Sequence, residues 1–201
     1  MVDTRSAAYR RSAGAPRGQA RKEALLRAVV DDLAANGLEG FSLRRAARAA
    51  GTTHKVLLYY FDGAEDLLGQ ALPKLRDRRT ASVLQAAAPA GSLAERVRAI
   101  WPVLMDDATG LRVIDQATGL AMYEPIRYAH LARGGFESYI EPLQSWCPPH
   151  WTAQHKREIT MFILTTLRGC LVEWRTTSDM ANIAPVLDAL VRAIEREEKA
   201  G

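Results

Sequence analysis

The stretch "AARAAGTTHKVLLYYF", Ala46 to Phe61, decides how this chain of 201 residues is read. Its first residues are small and favour helix, Gly51 interrupts them, and Thr53 is placed to cap a second short helix. Two short helices across a tight Gly turn, the second polar at its N-terminal end, describe a helix-turn-helix unit. Ala46, Ala47 and Ala50 are small enough for the second helix to cross closely. Val56, Leu57 and Phe61 fall on the inward side and tie the pair to a preceding helix. Thr53, His54, Lys55, Tyr59 and Tyr60 are left for the outside, and the question is what they face.

Double-stranded DNA suits each of them. A helix N-terminus offers free N–H groups to a phosphate, and the Thr53 hydroxyl can join them. His54 and Lys55 stand where side chains reach base edges in the major groove, and Tyr59 and Tyr60 carry hydroxyls for backbone phosphates. Ser42, Arg44 and Arg45 open the preceding helix and are placed for the opposite phosphate strand. The competing reading makes Tyr59 and Tyr60 core aromatics and His54-Lys55 a solvated helix start.

The charge distribution favours the DNA reading. Residues 1–62 hold 11 Lys and Arg against 6 Asp and Glu, net +5, whereas residues 63–201 hold 16 against 17, net −1. A basic first third is an electrostatic footprint for a polyanion. Residues 1–17 read as a basic, flexible arm able to lie along a minor groove. With 48% hydrophobic and 25% charged residues the chain is ordinary globular material. The N-terminus lacks the apolar core of a secretory signal, and no apolar run is long enough to span a bilayer. Cys147 and Cys170 make no disulfide framework, so a cytoplasmic protein away from membranes is expected.

Outside the opening stretch the periodicity is helical throughout, and the fold class is all-α with about nine helices. Ala24, Leu25, Ala28, Val29 and Leu33 form the stripe of a first helix closed by Asn36-Gly37. Ser42 caps the second, and Asp62 with Glu65 has the spacing of a capping box for the fourth, which Pro73 should bend or split. Breakers at 86–92, Thr109-Gly110, Pro125, Pro148-Pro149 and Ser178-Asp179 separate later helices near 93–107, 111–123, 126–146, 152–175 and 181–198. No strand-length alternation occurs. The expected organisation is an arm at 1–17, a helix-turn-helix domain at 18–66, and a helical ligand-binding and dimerisation domain at 67–201.

Residues 18–72 resemble the N-terminal domain of the tetracycline-repressor-like (TetR) family of transcription regulators. The resemblance rests on the first helix ending in Asn-Gly, Phe41-Ser42-Leu43, the Ala47/Ala50-Gly51 turn, Leu57, Phe61 and Glu65-Asp66-Leu67-Leu68. Four positions depart from the family pattern: Ala46 for the usual Ile, Thr52 for Val, Leu58 for a frequent Tyr, and Ala64 for a frequent phosphate-contacting Lys. The resemblance implies a homodimer on an inverted-repeat operator, paired through the last two helices, with a small-molecule effector acting as the release signal.

The later helices are rich in large apolar residues. Trp101, Met105, Met122, Tyr123, Tyr128, Trp146, Phe162 and Trp174, with Asp115 among them, are the candidates for lining an effector pocket, though each aromatic also suits plain core. No bound cofactor is implied. Cys147, His150 and His155 lie close in sequence but lack the ligand count of a zinc site, and no phosphate loop or nucleophile motif is present, so catalysis is not expected. The expected function is a ligand-released repressor. Its alternatives are a DNA-binding or architectural protein controlled by a protein partner, and an enzyme using the middle helices.

Overall fold

The computed structural model describes residues 16–106, 110–132, 134–135 and 137–200, so most of the expected arm lies outside the described residues. Among them are ten helices and no strand: α1 Pro16–Asn36, α2 Leu43–Ala49, α3 His54–Tyr60, α4 Ala64–Ala87, α5 Leu93–Met105, α6 Leu111–Tyr123, α7 Pro125–Ala132, α8 Glu137–Trp146, α9 Ala153–Thr177 and α10 Met180–Ala200. The helix expected over 126–146 is in fact two, α7 and α8. They part where Gly134 takes the left-handed conformation (φ +82°), which a side chain would oppose. Pro73 lies inside α4 without ending it.

The chain divides into two compact units, residues 1–76 with 110–133 and residues 77–109 with 134–201. The boundary expected near residue 66 falls inside α4, and α6 and α7 belong to the same unit as α1–α3. In the first unit the buried stripe of α1 is Leu25, Leu26, Val29, Val30 and Leu33. Ala24, expected on that stripe, is exposed, because the larger Leu26 and Val30 turn the helix toward the core. Leu57, Phe61, Leu67, Leu72, Leu75, Val113 and Leu131 complete the cluster. Each such side chain taken out of water contributes roughly 1.5–3 kcal/mol.

The helix-turn-helix is closed by its caps. The Ser42 hydroxyl accepts the Arg45 N–H (3.3 Å) and the Thr53 hydroxyl accepts that of Val56 (3.3 Å). Between them, Thr52 N–H reaches the Ala47 carbonyl (2.9 Å) and Gly51 N–H that of Arg48 (3.1 Å). That is the Schellman pattern, and it requires the left-handed residue that Gly51 supplies at φ +56°. The capping box expected from Asp62 and Glu65 does not form. The Asp66 carboxylate instead accepts the Asp62 N–H (2.9 Å), one residue further along.

The second unit is built on α5, α8, α9, α10 and the C-terminal part of α4. Trp101, Leu143, Ile163, Leu167, Leu190 and Ile194 are among its core. Ser92 and Glu95 cap α5 with a reciprocal box. Glu198 from α10 accepts the N–H of Leu93 (2.7 Å), joining the start of α5 to the end of α10.

Candidate nucleic-acid interface

Seven residues each in α2 and α3 set the surface. Ala46 and Ala47 of α2 and Leu57 of α3 are buried, which turns the opposite faces outward. Ser42, Arg44, Thr53, His54 and Lys55 are exposed, as is Arg48. Arg48 went unnoticed in the sequence, yet its spacing from Arg44 gave the signal: residues four apart share a helix face. Leu58 is 50% exposed on α3, beside Lys55, an apolar patch on an otherwise polar helix. Tyr59 and Tyr60 are half-buried and meet edge to face at 4.6 Å. Tyr60 also packs on the core of its unit, so the core reading applies to its ring.

Arg45 is differently employed from its neighbour Arg44. Its Nε pairs with Asp32 Oδ2 at 2.8 Å, with both side chains mostly buried at 13% and 15% exposure. Nη1 donates to the Glu39 carbonyl (2.6 Å), and Nη2 to the carbonyls of Gly37 (2.8 Å) and Asp32 (3.4 Å). Its guanidinium also lies over the Phe41 ring at 5.9 Å. The planar fork thus caps the carbonyl end of α1 and folds the 37–41 loop around itself, a task that only Arg's geometry performs. The phosphate contact expected of Arg45 competes with four internal bonds.

A second tie reaches the same loop from α6. Gln116 Oε1 accepts the N–H of Leu38 at 2.7 Å. Gly37 makes room for it, since a Cβ there would stand 2.7 Å from that oxygen, and the backbone is left-handed at φ +72°. That oxygen is therefore occupied by the backbone of the loop between α1 and α2.

The residues expected to line an effector pocket do not form one set. Trp101 is buried in the core of the second unit, with Met105, Trp146 and Trp174 partly buried against it. Phe162, on α9, is 45% exposed, pointing away from that core. Asp115, Met122, Tyr123 and Tyr128 belong to the first unit. Asp115 is exposed, and Tyr128 packs on the first unit's own core. Met122 and Tyr123 are 72% and 86% exposed, because the buried stripe of α6 (Leu111, Val113, Ala117) has ended before its last turn.

Cys147 and Cys170 are buried free thiols. Burial pushes both above the ordinary thiol range, Cys147 despite a lowering contact with the Thr160 hydroxyl. His155 rests edge-on against Trp151 and lies 3.4 Å from Glu197. Among the described residues no three His, Cys, Asp or Glu side chains gather as a metal site would need. No helix there is long and apolar enough to cross a membrane.

No family model matches the chain, and no curated protein matches it. Solved structures do. A TetR-family transcriptional regulator from Cytophaga hutchinsonii superposes with a TM-score of 0.68 at 15% identity, over 87% of this chain and 92% of the other. A protein assigned as a transcriptional regulator from Streptomyces coelicolor A3(2) gives 0.67 at 23% identity, over 87% and 98%. One assigned to the TetR family from a Rhodococcus species gives 0.63 at 17%, again over 87% and 98%. Sequences so far diverged that keep one helical arrangement along nearly their whole length establish the architecture: this chain has the fold of TetR-family transcriptional regulators.

Proposed function

We propose that this protein is a cytoplasmic, homodimeric DNA-binding transcription regulator of the TetR family, a repressor released from an inverted-repeat operator by a small molecule. The observation that carries the reading is the outward face of a firmly capped helix-turn-helix, where Arg44, Arg48, His54 and Lys55 stand exposed together. Arg44 and Arg48 supply phosphate contacts, with Ser42, Thr53 and the hydroxyls of Tyr59 and Tyr60. His54 and Lys55 read base edges, and Leu58 offers the apolar surface that a thymine methyl prefers. Arg45 holds the head in shape.

Dimerisation is supported by α9. Phe162, Thr165, Gly169, Val172 and Thr176 are all exposed and recur every three or four residues, a stripe that a second helix would cover. Open space around Gly169 lets a partner backbone approach. Residues 18–66 serve as the DNA-reading head and 67–201 as the ligand-sensing and dimerising part. The Gln116–Leu38 tie gives α6 a direct hold on the head, so any ligand that moves α6 changes the loop before α2.

Selection of bound duplexes from a random DNA pool tests the reading. An inverted repeat, weakened or re-specified by Lys55→Ala, is the expected outcome. Sequence-blind, salt-sensitive binding alone, or none, would refute it. The exposed Met122, Tyr123 and Ile126 favour a second reading in which a protein partner controls DNA binding. Replacing Met122 and Tyr123 by Ser leaves regulation by ligand intact on the first reading and abolishes control on the second.

A further inference from the structure

α3 turns one edge to solvent, and that edge is only partly polar. In its sequence HKVLLYY, Leu57 is fully buried, and Val56 and Tyr60 pack on the core of the unit, which fixes the opposite side as the outer one. His54, Lys55 and Leu58 are the exposed residues of α3, with Leu58 at 50%. At 3.6 residues per turn Leu58 follows His54 by four positions and Lys55 by three, so it stands one turn further along, between the two. Among the described residues 42–61 no other large apolar side chain is as exposed.

A lone exposed Leu on a protein surface is ordinary. This one sits among cations: Arg44, Arg48 and Lys55 are exposed on the same pair of helices, and residues 1–62 carry a net charge of +5. An apolar partner would leave those charges unmatched, whereas a polyanion answers them. The surface that matches both features is the major groove of duplex DNA. Its walls are phosphates, and its floor carries one apolar group, the C5 methyl of thymine. α3 offers that floor no carboxylate or amide. Lys55 brings N–H donors only, and Leu58 makes no hydrogen bond. Guanine, with acceptors at N7 and O6, suits Lys55 best. Three residues of helix advance about 4.5 Å, close to the ~3.4 Å step between bases along a strand. Lys55 and Leu58 therefore address neighbouring base pairs.

We propose that Leu58 reads the 5-methyl group of a pyrimidine in the base pair next to a guanine held by Lys55, so that operator affinity depends on that methyl. The proposal rests on the reading of α2 and α3 as a DNA-reading head and names the two adjacent bases that the head requires. A methyl on cytosine C5 occupies the same place in the groove as that of thymine. Cytosine methylation at this one position therefore raises affinity, through a side chain that makes no hydrogen bond.

The test starts from the operator that the full-length protein selects out of a random duplex pool. Each thymine is replaced in turn by deoxyuridine, which keeps every hydrogen-bonding group and removes the methyl. One thymine in each half-site is expected to lose about fourfold in affinity, the worth of burying one carbon, and the two together about fifteenfold. At the same position 5-methylcytosine is expected to bind about fourfold more tightly than cytosine. Leu58→Ala is expected to remove both differences and to bind the deoxyuridine operator nearly as the parent does. It should also keep the parent Tm, since the side chain is half exposed. At the neighbouring guanine, 7-deazaguanine, which lacks N7, is expected to weaken binding of the parent and to leave that of Lys55→Ala unchanged.

Any of four results overturns the proposal: every thymine tolerates deoxyuridine, the sensitive thymine stays sensitive in Leu58→Ala, cytosine and 5-methylcytosine bind alike there, or no guanine beside it depends on Lys55. A selected operator that is blind to every methyl removes the proposal and leaves the regulator standing. The absence of any selected operator removes both.

Discussion

Adjacent arginines on α2 should behave in opposite ways when neutralised. Arg45→Gln removes an ion pair whose two side chains are only 13% and 15% exposed, together with hydrogen bonds to the carbonyls of Glu39 and Gly37. Breaking a fully buried pair is worth about 3–5 kcal/mol and a charged hydrogen bond about 1.5–3. Water reaches this site from one side and Gln retains one donor, so a loss of about 2–4 kcal/mol is expected. For a chain of this length that lowers Tm by roughly 5–10 °C. Arg45→Lys should lose nearly as much, since an ammonium cannot span Asp32, Gly37 and Glu39 at once.

Arg44→Gln, at an exposed position, should leave the unfolding free energy within about 0.5 kcal/mol of the parent. On DNA the order reverses. The slope of log affinity against log salt should fall by about 1 for each protomer with Arg44→Gln, because one phosphate contact is lost. It should hold steady with Arg45→Gln, measured at a temperature where the variant is folded. Equilibrium urea unfolding and a salt series on the selected operator supply both numbers. If Arg45→Gln keeps its stability and lowers the salt slope as Arg44→Gln does, the clamp described for Arg45 is wrong.

Other substitutions probe the same physics elsewhere. Gly110→Ala puts a Cβ 2.7–2.8 Å from three side-chain atoms of Leu75 on a left-handed backbone, whereas Gly40→Ala meets nothing within 4 Å. Both incur about 1–2 kcal/mol of backbone strain, and Gly110→Ala adds about 1–3 for overpacking, so its urea midpoint should fall clearly further. Gln116→Leu leaves the Leu38 N–H without its acceptor, and faster amide exchange at Leu38 measured by NMR is the expected mark. The Glu95 carboxylate, held below its ordinary 4.5 by the backbone N–H groups of Ser92 and Gly91, stabilises the fold above that pH. The contribution is lost as pH falls through the lowered value, and Glu95→Gln should flatten this part of the acid limb of a Tm-against-pH curve. Cys147 and Cys170, pushed upward by burial, should react with a thiol reagent at neutral pH far more slowly in native protein than in urea. Equal rates would contradict their burial.

Features that depend on neighbours along the chain are legible in the order of the residues. Ser42 and Thr53 as caps, Gly51 as the left-handed turn, and the alanines that let two helices cross are local consequences of residue type, legible wherever they occur. So is helical periodicity, which placed every long helix; it failed at 126–146 because one backbone reversal at Gly134 leaves little trace in hydrophobic spacing. Which polar groups are already taken depends instead on how the folded helices meet. Arg44 and Arg45 look alike in sequence, but Arg45 finds Asp32 and three carbonyls thirteen or fewer residues away, and Arg44 faces outward. Gln116 is bound to Leu38, 78 residues distant. Trp101, Met105 and Trp146 share one core, yet Met122 and Tyr123, equally apolar, fall in another unit and face water. Hydrogen bonds and burial depend on what arrives from elsewhere in the chain, and long-range arrival leaves no periodic signature.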